Sequence, residues 1–197
     1  MVRHVLLGTV APPLVWLVAS SIPLSFALPP RLRRGLTPIG RLLTHPLMTW
    51  LAGTMTVIGW HVPAAFALAQ RSELWHGVQD VSFFLTGLLF WWPVVRPWQA
   101  EERLPRPMIP LYLFAATLPC DALSAFLVFC DRVVYHQHLG EPGGFNMSAL
   151  ADQQLAGAFM WVAITFLYLG PAVTMTVQAL SPDRQRPISV IRSTNGR

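Results

Sequence analysis

The chain has 197 residues, 53% of them hydrophobic and 12% charged, with a mean hydropathy of +0.47. Its net charge of +5 comes from arginine without any lysine, and the arginines lie between long apolar runs. That pattern excludes a soluble domain and a nucleic-acid-binding face. It leaves an integral membrane protein whose arginines act as topology signals.

Five runs approach or exceed the roughly 20 apolar residues a helix needs to cross a bilayer. The predicted fold is therefore an all-α polytopic bundle of about five spans over residues 1–180, with a polar cytoplasmic tail at 181–197. The first run, Val5 to Pro30, carries no Asp, Glu, Lys or Arg, and Pro12, Pro13 and Pro23 should kink it. It is too long for a signal-peptide core and reads as a retained span. The second span covers about Pro46 to Leu68, the third Leu74 to Val95, the fourth Met108 to Cys130 and the fifth Gln154 to Leu180. The longest connection, Asp131 to Asp152, contains YHQHLGEPGGFN, whose Gly and Pro mark a loop.

Arginines alternate in density from side to side. One side holds Arg31, Arg33, Arg34, Arg41, Arg96, Arg103, Arg106, Arg184, Arg186, Arg192 and Arg197, and the other only Arg3, Arg71 and Arg132. The denser side is predicted to be cytoplasmic, so the N-terminus lies outside and the C-terminus inside.

With that orientation the unusual polar residues gather at the outer ends of the spans. His4 opens the first, and His61 lies roughly 10 Å below the end of the second at about 1.5 Å per residue. His76 and Asp80 share a face at the start of the third. Asp152 and Gln153 open the fifth, with Met160 two turns deeper. Ionisable groups inside a membrane are functional candidates by default. His45, beside Pro46, reads as a helix-start residue, and His136 and His138 belong to the outer loop. Asp121 requires a partner that the sequence does not name. Cys120 and Cys130 are too far apart on one helix to bond each other and read as packing residues.

Imidazoles joined by a thioether and a carboxylate suit copper, the thioether favouring Cu(I). Zinc would accept three histidines and a carboxylate. The candidate metal ligands are thus His4, His61, His76, Asp80, Asp152 and Met160, of which His61 and His76 form the expected essential pair. Nothing points to an enzyme: GxSxG, HExxH and a phosphate-cradling loop are all missing, and a Ser82–His76–Asp80 triad would fall on one helix. Two other membrane functions fit the same residues. One is a haem-b electron carrier using two of His4, His61 and His76, and the other a small transporter whose polar cluster lines a pathway.

The phrases WHVPAAFALA, LWHGVQDVSFFLTGLLFWWPVV and ALADQQLAGAFMWV, with RHVLLGTVAPPLVWL and DRVVYHQHL, resemble the bacterial membrane assembly factor of caa3-type cytochrome c oxidase, the CtaG family. The resemblance covers most of the chain. It implies a multi-pass protein of the bacterial inner membrane, with oxidase subunits as partners. It also implies a chaperone-like role in copper insertion at the outer face. The sequence departs from that family at Asp80, where H-x3-D stands for H-x3-H, and in beginning two helices later. The shorter start predicts a groove beside His4, closed by a partner or by a second copy through Gly8 and Ala11.

Overall fold

The computed structural model describes residues 2–20, 42–95, 104–135 and 147–181, and each regular element among them is a helix. Six are used below: α1 (Val2–Ser20), α2 (Pro46–His61), α3 (Pro63–Arg71), α4 (Glu73–Val95), α5 (Ile109–Phe129) and α6 (Ala149–Leu180). A 3-10 turn, Arg106–Met108, leads into α5. α1, α4, α6 and α5 with its leading turn are each long and apolar enough to cross a membrane. α2 and α3 make a fifth span if the pair, bent by 75°, is counted as one. The arginine-rich segments at 21–41 and 96–103, His136, His138, Pro23 and the tail beyond Ser181 lie outside the described residues.

Helix boundaries follow local chemistry. His45 caps α2 as expected: its Nδ1 accepts from the Leu47 amide at 3.3 Å, and Pro46 takes the first helical position. Ser148 caps α6, accepting from the Ala151 amide at 3.2 Å. The second span is not continuous. Pro63 has no N–H to offer the preceding turn, and its ring drives Val62 to an extended conformation (φ −62°, ψ 131°), so α2 stops at His61.

In α1 the expected disturbance at Pro12 and Pro13 takes the form of a widened turn. Those residues cannot donate to the carbonyls of Gly8 and Thr9, and Leu6–Val10 opens into a π turn in which the Ala11 amide reaches back to Leu6. The Thr9 hydroxyl donates to the Val5 carbonyl. The widened turn meets α4 at Gly87, where an added Cβ would stand 2.5 Å from the Gly8 carbonyl oxygen and 2.7 Å from Pro12 Cγ. Only a residue without a side chain allows this approach. Gly8 is thereby engaged within the chain, against Gly87 and Phe83, and not on the free face expected of a dimer contact.

α4 packs against α1, α2 and α3, whereas α5 packs chiefly along α6 and also touches α2. The buried faces have helical spacing: Gln153, Gly157, Met160, Ile164, Tyr168 and Ala172 on α6 meet Leu113, Ala116, Cys120, Ser124 and Leu127 on α5. An aromatic group joins the two halves. The Phe90 ring lies 4.8 Å from Tyr112 and 5.3 Å from Tyr168, and the Tyr112 hydroxyl donates to the Phe90 carbonyl at 3.0 Å.

Candidate functional site

The larger of two hollow spaces borders the N-terminal ends of α1, α4 and α6 and the C-terminal ends of α2 and α5, whereas the smaller lies toward mid-helix, lined by Phe83 and Phe90 of α4, Ala116 and Cys120 of α5 and Met160 and Tyr168 of α6. Helix polarity therefore brings the predicted ligands to one end of the bundle. The larger space, a vestibule of about 620 Å³, is bordered by Arg3, His4, His61, His76, Asp152 and Tyr135, among others. The smaller, a cavity of about 60 Å³, shares His4 and His61 with it, the two histidines that line both. Cys120 and Met160 line only the cavity.

The six candidate ligands fall into two groups instead of one set. Asp80, buried behind the vestibule lining, forms an ion pair with Arg3 and lies 3.9 Å from His4 Nε2. Arg3 also donates through Nη1 to His76 Nε2 at 3.0 Å, so its guanidinium holds the imidazole lone pair and the carboxylate together. The His4 ring stacks on Phe83 at 4.8 Å and stands 6.4 Å from the His76 ring. Asp152 lies in the first turn of α6, where a carboxylate also favours the helix dipole. Among the described residues no three His, Cys, Asp or Glu side chains converge as a metal-holding group.

His61 ends α2 at the break, and its surroundings fix its chemistry. Its Nδ1 lies 2.7 Å from the Val57 carbonyl, which can only accept, so Nδ1 carries the proton and Nε2 the lone pair. Its own carbonyl is freed by the helix end and accepts from the Tyr135 hydroxyl at 3.0 Å. Burial pushes the Tyr135 phenol up to about 12, so it remains a donor. The Tyr135 ring lies 4.3 Å from Phe66 of α3, bracing both sides of the break.

Gln153 in turn secures the segment carrying Tyr135. It accepts from the Val134 amide at 2.7 Å and donates to the Arg132 carbonyl at 3.2 Å. Ser82 has a structural role, accepting from Trp60 Nε1 at 2.7 Å and donating to the Gln79 carbonyl at 2.7 Å. Asp121 Oδ1 is buried and has no hydrogen-bond partner among the described residues.

Two residues of this arrangement escaped the sequence reading. Arg3 counted there only as a topology charge, although its place one residue before His4 was a usable signal, and Tyr135 had no signal beyond an aromatic residue in a loop. Cys120, read as packing, does belong to the hydrophobic core and also borders the cavity.

The profile of a protein family described as cytochrome c oxidase caa3 assembly factor matches residues 1–181 of this chain. No curated protein and no solved structure matches it.

Proposed function

The chain belongs to the cytochrome c oxidase caa3 assembly factor family, and on that premise we propose that it receives copper in the vestibule and passes it to the oxidase. The observation that supports this reading is that His4, His61 and His76, from three different helices, all border one vestibule. Neutral imidazoles bind copper, and the oriented lone pair of His61 resembles the arrangement by which a backbone carbonyl sets a metal-binding histidine. Copper is cargo here, and no residue is assigned a catalytic step.

The arginine bias supports an orientation with the vestibule at the outer face of the membrane, and in that orientation the metal would be delivered from outside to an oxidase subunit in the same bilayer. Arg3 sits where an incoming cation would sit, between His76 and Asp80. Copper entry therefore requires the guanidinium to swing away, and its 63% side-chain exposure leaves it room to do so.

The test is a Cu(I) competition titration on the anaerobically purified protein and its His61→Ala and His76→Ala variants, alongside oxidase activity in cells. Each variant should bind about tenfold more weakly or worse, the scale seen even for changes one shell away from a metal. Unchanged affinity in both, or a Soret band in the purified protein, would overturn the copper reading. Reporters fused after Gln70 and after Arg103 should read outside and cytoplasm respectively, and the reverse pattern would overturn the orientation.

A further inference from the structure

The inner cavity gathers donors of a kind the vestibule lacks. Cys120 of α5 is 6% exposed, Met160 of α6 is 4% exposed, and both border it. Cys120 is a free thiol. His61, 8% exposed, completes the set: its Nδ1 is committed to Val57, and its Nε2 has no hydrogen-bond partner among the described residues. A thiol, a thioether and an imidazole lone pair from three helices thus border one small space, in surroundings that are otherwise largely apolar.

We infer that this cavity is a second, inner site that holds a bare Cu(I) ion between Cys120 Sγ, Met160 Sδ and His61 Nε2. The inference rests on the copper reading above and adds to it a soft-donor resting place beyond the vestibule. The donor set selects the ion. Thiolate and thioether favour Cu(I) over harder cations, and zinc sites of this kind are almost always tetrahedral. His4 borders the same cavity, but among the described residues no three His, Cys, Asp or Glu side chains stand close enough together to hold one ion, so a tetrahedral set is not built.

Charge balance points the same way. As the S–Cu bond forms, Cys120 loses its thiol proton, which leaves with vestibule water. One monovalent cation replaces another, so the cavity's net charge is unchanged, whereas a divalent ion would leave a positive charge in an apolar lining. No oxidant or reductant is consumed. His61, bordering both spaces, is the ligand that can accompany the ion from one to the other.

The experiment uses the full chain in detergent, titrated anaerobically with Cu(I) against a chromophoric competitor, with copper X-ray absorption on the loaded protein. Cys120→Ser should bind at least tenfold more weakly and lose sulfur scattering, while Cys130→Ser should match the wild type. In the Cys130→Ser background Cys120 is the sole thiol, and Cu(I) should slow its modification by methyl methanethiosulfonate at least tenfold. That protection assay keeps the test valid if Cys120→Ser folds poorly. Unchanged affinity in Cys120→Ser, or no protection of Cys120 despite bound copper, overturns the inner site and leaves the vestibule reading standing. Failure of the wild type to bind Cu(I) at all overturns both.

Discussion

The vestibule and the cavity share His4 and His61 yet differ in how far their donors are already engaged. In the vestibule, Arg3 occupies the His76 lone pair and the Asp80 carboxylate, so this group is internally neutralised. In the cavity, Cys120, Met160 and His61 Nε2 border open space. A site whose donors are paired with a displaceable cation suits transient capture, and one with unengaged soft donors suits retention. The lesson is that proximity of ligand-type side chains says little until their existing partners are counted.

The most disruptive way to break this contrast is to separate α1 from α4. Gly87→Ala would drive a Cβ into the Gly8 carbonyl, displacing His4 from both spaces. Overpacking of this kind costs about 1–3 kcal/mol, occasionally more. The expected outcome is a lower midpoint of thermal unfolding in detergent, together with lost oxidase activity. A variant as stable and active as the wild type would show that the helix contact does not set the site.

Asp80→His sharpens the contrast from the other side. It removes the carboxylate that holds Arg3 and adds a neutral ligand beside His4 and His76. Cu(I) binding should tighten about tenfold, the lower end of what changes around a metal produce. Competition titration reads this directly, and weaker binding would argue that the carboxylate is itself a ligand.

Arg3→Gln should act in the same direction more weakly. The pair it breaks is partly exposed, and such pairs are worth at most about 1 kcal/mol, or roughly fivefold in affinity. Faster copper uptake in stopped-flow mixing, with little change in retention, is the expected signature. Slower uptake would mean that Arg3 assists entry.

The smallest effect is expected for Tyr135→Phe. It leaves the ring on Phe66 and removes only the hydroxyl that caps the His61 carbonyl. Loss of one such bond costs about 1 kcal/mol. A small drop in thermal stability with a few-fold loss of Cu(I) affinity would place the hydroxyl in the positioning of His61. A stability loss with affinity unchanged would restrict it to bracing the break.

Much of this architecture is legible in one dimension, because its causes are local. Apolar run length identifies the spans, and the helical limits at Val95, Phe129 and Leu180 agree with the readings made from those runs to within a residue. Capping by His45 is likewise a matter of neighbouring residues. The break at Val62 was also written locally, in Pro63, but the apolar run continues through it and hides the stop. Alternation of span direction was enough to bring His4, His61, His76 and Asp152 to one end.

The sequence by itself therefore determined the class, the spans and the end of the bundle at which polar groups collect. Their partition into a vestibule and a cavity was decided only by tertiary structure. It depends on the rotation of each helix and on how deeply α1 seats against α4, and that depth is set by one glycine facing one carbonyl freed by proline. The same seating carries Arg3 onto Asp80 and His76, while the packing of α5 along α6 puts Cys120 and Met160 on the cavity below. Linear spacing along separate helices contains none of those distances, because each is the difference between two rigid elements placed by their packing.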